Sequence, residues 1–164
     1  MNDLKDVLAA LAKLCKYPED LSNARLTKLV YLSDWRHSLK FGKPITGIKW
    51  YFDNYGPFVF DVIDTVKEHK ELFKLTETVN THGNKKQLIS LANPDYVPKL
   101  EKSAYEVIDL VTDFTSAMNF QEFLRTVYST YPVTSSPKYT QLDLTVLAER
   151  FRAEREAAKG SSGT

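Results

Sequence analysis

A single cysteine, Cys15, stands in the 164 residues. No intramolecular disulfide can form, and its place on an apolar helical stripe predicts a small buried hydrophobe in a reducing compartment. Long hydrophobic runs are also missing. Nothing approaches the roughly 18 apolar residues a membrane span requires, and Met1-Asn2-Asp3-Leu4-Lys5-Asp6 lacks a basic stretch followed by an apolar one. Cytoplasmic residence is the expectation, with no membrane partner. Charge of one sign is lacking as well: 22 Lys and Arg balance 21 Asp and Glu, leaving +1. No global field therefore draws the protein to phosphates or anionic lipid.

The six glycines, at positions 42, 47, 56, 83, 160 and 163, form neither a dinucleotide fingerprint nor a Gly-Lys-Ser/Thr phosphate loop, and Gly-x-Ser-x-Gly is absent. His37, His69 and His82 fall on separate predicted elements, with neither His-x-x-x-His spacing nor a second cysteine. That pattern argues against a metal site, and nothing calls for a cofactor.

What is present is material for a core. Hydrophobic residues make up 43% and aromatics 12%, enough to fold one domain over residues 1–156, with 157–164 as a flexible C-terminal tail. Leu4, Val7, Leu8, Leu11, Leu14 and Cys15 recur at helical spacing, predicting a first helix that ends near Tyr17-Pro18. Ser22 or Asn23 can cap a second helix to about Leu39, apolar around most of its circumference and so suited to the middle of a bundle.

Residues 48–52 are β-prone, and Tyr55-Gly56-Pro57 turns the chain sharply, with Pro57 suited to the first turn of a third helix ending around Lys70. Residues 73–79 and 86–91, separated by Thr81-His82-Gly83-Asn84, read as a hairpin that residues 48–52 could join. Ala104, Val107, Ile108, Val111, Phe114, Thr115 and Met118 trace a fourth helix. Asn119 and Glu122 open a fifth that Pro132 ends, and a sixth begins at Leu144 after an irregular loop. The fold class expected is α+β, mainly α: a bundle of about six helices with a small two- or three-stranded antiparallel sheet.

Asp34 and His37, three residues apart, share a helical face and could orient each other as a carboxylate and base would. The same pair also reads as a satisfied structural network on a mostly buried helix, and that reading takes precedence because no nucleophile motif accompanies it. No catalytic residue is assigned. Lys85-Lys86 and Arg150, Arg152, Arg155 and Lys159 are the only basic clusters. The second is diluted by Glu149, Glu154 and Glu156, and Arg152 and Glu156 are spaced to pair along a solvated face, so nucleic acid is disfavoured as a partner. Trp50, Tyr51, Phe52, Tyr55, Phe58 and Phe60 are dense aromatics. Those left at the surface would make a protein-binding hot spot.

Taken together, Lys28-Leu29-Val30-Tyr31-Leu32-Ser33-Asp34, His37, Phe41-Gly42-Lys43-Pro44-Ile45-Thr46-Gly47 and Tyr55-Gly56-Pro57 resemble the Panacea domain, the SocA-like antitoxin family of prokaryotic and phage-associated toxin-antitoxin systems. The motifs cover residues 25–64. Val127-Tyr128-Ser129-Thr130-Tyr131-Pro132 is similar to the family's later helix end. Phe58-Val59-Phe60 and Asn54 depart from the pattern. The resemblance implies no enzyme. It implies an antitoxin that holds a cognate toxin protein inactive by direct binding, some members also presenting the toxin to a protease. Relatives with an added DNA-binding segment exist, and the first helix here leaves no room for one ahead of it. Partner-binding residues implied are Asp34, His37, Tyr51, Tyr55, Gly56, Pro57 and Phe58. The alternatives are a nucleic-acid-binding regulator using Lys85, Lys86 and the Arg-rich last helix, or an enzyme using Asp34 and His37.

Overall fold

The computed structural model describes residues 2–16 and 21–162. Helix α1 (Leu4–Leu14) begins where the Asp3 side chain accepts from the Lys5 amide. The Tyr17-Pro18 pair expected at its end lies outside the described residues. Helix α2 (Asn23–Phe41) is capped by Ser22, whose hydroxyl accepts from the Arg25 amide at 3.1 Å. It stops at Gly42, where φ is +78° and the amide bonds the Ser38 carbonyl. Only a residue tolerant of the left-handed region closes a helix this way without strain. As the all-round apolar pattern predicted, α2 is central: it packs against α1, α3 (Asp61–Glu68), α4 (Lys102–Thr115) and α7 (Leu144–Ser162). Leu26, Val30 and Tyr31 are fully buried there.

The architecture is α+β and mainly helical, with seven helices and two small antiparallel sheets among the described residues. Two elements correct the sequence reading of the sheet. Strand β1 (Trp50–Asp53) does not join the hairpin of β3 (Phe73–Val79) and β4 (Lys85–Leu91); it lies between β2 (Gly56–Phe58) and β5 (Gln141–Leu142). Pro57 sits in β2 opposite Phe52, and α3 starts only after Phe60. Strand β2 is an edge, where a residue without an amide hydrogen is tolerated. β5 carried no signal because a two-residue strand has no periodicity to detect.

Helix α5 (Phe120–Tyr128) is capped by Asn119, which accepts from the Glu122 amide at 2.9 Å. Pro132 opens the short helix α6 (Tyr131–Ser135) besides ending α5, as suits a proline in a first turn. Helix α7 runs to Ser162, so residues 157–162 are helical where a flexible tail was expected. Ala157, Ala158 and Lys159 are strong helix formers and extend it.

Arg152 also departs from expectation. Its guanidinium donates to the Ser38 and Leu39 carbonyls, each at 3.0 Å, and so caps the end of α2 from α7. The Leu39 carbonyl is among those a helix end leaves unpaired, while Ser38 also accepts from the Gly42 amide. Arg152→Ala should lower the unfolding free energy by about 1–3 kcal/mol. Lysine at 152 should restore only part, because its strongly hydrated ammonium is costlier to bring to the two carbonyls that Arg152 Nη1 serves. Urea titration of the three proteins checks both statements.

Candidate functional site

Asp34 leaves α2 fully buried and receives three donors: the Thr46 amide at 2.9 Å, the Thr46 hydroxyl at 2.5 Å and the Trp50 indole Nε1 at 2.9 Å. One carboxylate thereby fixes the segment between α2 and β1 and orients Trp50, whose ring meets Tyr31 edge-on at 5.5 Å. Burial pushes the Asp34 carboxyl up to about 6, the Thr46 and Trp50 hydrogen bonds opposing the shift without cancelling it. The Tyr31 hydroxyl bonds the Thr130 hydroxyl at 2.7 Å and is itself pushed up by burial.

His37 does not meet Asp34. Its Nδ1 bonds the Lys43 carbonyl at 2.6 Å and its Nε2 the Ser103 hydroxyl at 2.9 Å, with Phe41 packed on the ring. The acid-base pairing that the spacing allowed is thus replaced by two separate structural networks, both beneath the surface. Asp34 holds the chain after α2, and His37 ties its turn to α4.

Gly56 and Pro57 are also buried. At Gly56 φ is +94°, and a Cβ there would stand 2.6 Å from Tyr128 Cε1. The Tyr128 hydroxyl donates to the Tyr55 carbonyl at 2.9 Å, so α5 packs directly on the β1–β2 turn. Backbone conformation and close approach both require glycine.

The other three expected residues face outward. Tyr51 and Phe58 are cross-strand partners on the outer face of the sheet, Tyr51 being 41% exposed. Tyr55 at the turn is 79% exposed. The structure adds two residues outside the expected set. Phe60, 68% exposed, meets Phe58 edge-on at 5.0 Å, and Tyr139, with φ at +66°, donates through its hydroxyl to Asn54. Tyr139 arrives through the β5 connection, across a sequence separation no local pattern could bridge.

Lys28 is a further residue whose character only the structure reveals. It is 4% exposed, and among the described residues it makes no hydrogen bond or ion pair. Burial alone pushes its ammonium below the usual lysine range. The described residues include no cluster of three His, Cys, Asp or Glu side chains placed for a metal ion, and no helix long and apolar enough to cross a membrane.

A protein-family model described as "Antitoxin SocA-like, Panacea domain" matches residues 26–131. The chain belongs to this family. The match spans α2, the β1–β2 turn, the β3–β4 hairpin, α4 and α5, reaching well beyond the motifs at residues 25–64. No curated protein and no solved structure matches the chain. In this Panacea domain the motif residues divide by burial: Asp34, Gly56 and Pro57 lie buried behind or within the sheet and His37 is buried against α4, while Tyr51, Tyr55 and Phe58 face outward.

Asp34→Ala should destabilise the protein by about 3 kcal/mol or more, since three buried donors lose their acceptor at once. A carboxyl held at about 6 in the fold and near 3.9 when unfolded binds its proton more tightly in the native state. Its contribution is therefore full below pH 4 and is lost as pH rises through 6, by about 2–3 kcal/mol. Denaturant titrations from pH 4 to 7 should show that component in the native protein and lack it in Asp34→Asn. Gly56→Ala should cost about 2 kcal/mol. Adding Tyr128→Ala should relieve the clash while leaving the positive-φ strain, which a double-mutant thermal series resolves.

Proposed function

We propose that this Panacea domain is an antitoxin that neutralises a cognate toxin protein in the cytoplasm by stoichiometric binding, without catalysis. The observation carrying this reading is the family match over residues 26–131. The geometry supports a binding role. Asp34 and His37, the two residues that could have formed an acid-base pair, are consumed in separate structural networks. The outer face of the β2–β1–β5 sheet presents Tyr51, Tyr55, Phe58 and Phe60. Aromatic side chains offer large contact area at small conformational cost and dominate interface energetics. Asp34, His37, Gly56 and Pro57 take part by holding that face in place.

Presentation of the bound toxin to a protease is the second half of the proposal. It predicts that the toxin's half-life falls when this protein is present and recovers in a protease-deficient host, whereas binding alone leaves the half-life unchanged or longer.

Co-expression with the product of the adjacent gene tests the main reading. Growth should be arrested by the neighbour alone, restored by this protein, and arrested again by Tyr55→Ala/Phe60→Ala at an unchanged melting temperature. A neighbour that is harmless alone, or one that stays lethal and fails to co-purify, sinks the antitoxin reading. Rescue that survives the double substitution moves the contact off the sheet face.

A further inference from the structure

The two sides of the β3–β4 hairpin end differently. The Ala92 amide donates to the Leu72 carbonyl at 2.8 Å and the Asn80 amide to the Asn84 carbonyl at 2.9 Å, which sets the phase of the ladder between them. Antiparallel pairing alternates bonded and non-bonded positions. Lys74, Thr76 and Thr78 therefore bond β4, while the amides and carbonyls of Leu75, Glu77 and Val79 point away from it. The outer side of β4 is closed, for the Ile89 amide donates to the Leu21 carbonyl at 2.8 Å and Ser22 bridges Leu88. The outer side of β3 is open. The Phe73 amide is taken by the His69 carbonyl at 2.9 Å, but among the described residues no backbone bond from another segment reaches Leu75, Glu77 or Val79.

An open edge of this kind is a template for another strand, and proteins blunt it with proline, a bulge, a short length, a cover or charge. β3 runs seven residues in unbroken register without proline. Lys74, Thr76, Glu77 and Val79 are exposed, Val79 by 66%. Charge is the guard that remains, and Glu77 is the one charged residue among the three whose backbone is open. It makes no ion pair among the described residues, with Lys85 on the neighbouring strand included.

That charge decides what pairs there. A second copy using all three open residues about a two-fold axis sets Leu75 against Val79 and Glu77 against its own copy, and like charges directly opposite are destabilising. Area argues the same way. Leu75 to Val79 spans about 14 Å and a sheet is about 10 Å deep, on the order of 150 Å² a side, where a stable interface buries about 800 Å² a side. The edge suits an extended segment of a partner anchored elsewhere. The aromatic face is within reach, because the eight residues of α3, about 12 Å of helix, separate Phe60 from the approach to β3.

We propose that the open edge of β3 receives an extended segment of the protein partner as an added antiparallel strand. It bonds through Leu75, Glu77 and Val79, with a basic residue opposite Glu77 between apolar ones opposite Leu75 and Val79. This rests on the antitoxin reading, the partner being the toxin. Backbone bonds attract any extended chain, and Glu77 with its two apolar neighbours supplies the selection.

The test titrates the isotope-labelled full chain with a short peptide of isoleucine and threonine around a central lysine, read by amide shifts and hydrogen exchange. In the free chain the amides of Leu75, Glu77 and Val79 should exchange faster than those of Thr76 and Thr78, and the peptide should slow them. N-methylating the peptide's edge-facing amides, which leaves its side chains in place, should weaken binding by about tenfold or more. Central glutamate in place of lysine should weaken it by about fivefold, and Glu77→Lys should reverse that preference. Val79→Pro should weaken docking with the ladder to β4 intact, because the amide it removes points outward. Slow exchange of the three amides before peptide is added, unchanged affinity after N-methylation, or the same preference in Glu77→Lys each overturns the proposal. So does a dimer of the free chain that Val79→Pro dissolves in sedimentation, which assigns the edge to a second copy. If growth rescue persists while the peptide fails to slow the three amides, the antitoxin reading stands and the edge assignment falls. Slowed amides without rescue give the reverse.

Discussion

The carboxylate of Asp34 is the point through which the rest of the structure is tied. It lies inside the bundle and collects donors from Thr46 and Trp50, so the chain leaving α2 must return and set β1 against the helix that precedes it. With β1 placed, β2 folds back beside it and β5 closes its other edge from far along the chain. Gly56 then allows the Tyr128 ring to lie on the turn, which brings α5 to the sheet. Remove the carboxylate and Trp50 loses the acceptor for its indole, in the same place where it packs on Tyr31. A hydrogen bond usually contributes little net stability. Three donors on one desolvated acceptor matter because none can be released to water separately.

Lys28 stands on the same helix, two turns nearer its start, and is the opposite case. Asp34 is buried with every need met, whereas Lys28 buries its aliphatic stem, and among the described residues no side-chain polar atom is buried without a partner. A satisfied buried charge specifies a fold, whereas a long side chain can bury its stem while its charged end stays within reach of water. The contrast separates two residues of the same motif stretch that spacing alone cannot tell apart.

Much of the helical framework was legible in the sequence. The all-round apolar pattern of α2 marked it as central, Asn119 marked the start of α5, and Gly42 suited the end of α2, because caps and periodicity are local signals. The sheet was legible only in part. Residues 48–52 announced a strand without naming its neighbours, since strand pairing depends on contacts distant in sequence, and Gln141–Leu142 is too short to announce itself. Pro57 was read as a helix opener because proline suits both a first helical turn and an edge strand. Of the expected site residues, six lie on or behind one small sheet and His37 ties the turn after α2 to α4, yet the sequence could not sort the four buried residues from the three that face outward. Arg152 looked like a surface charge because its role as a cap depends on where α2 ends in space.

Strand β1 alternates, with Trp50 and Phe52 inward and Tyr51 outward, and the turn and β2 continue the division through buried Gly56 and Pro57 and exposed Tyr55. Residues that maintain the architecture are thus interleaved with residues that face solvent, and the two sets share a backbone without sharing contacts. With β5 occupying its second edge, β1 is read from outside through side chains alone. On the proposed binding role, divergence at positions 51, 55, 58 and 60 can therefore proceed one substitution at a time, each altering the contact face while the ladder underneath stays intact. A scaffold arranged in this way can exchange partners over evolutionary time without passing through an unfolded intermediate form.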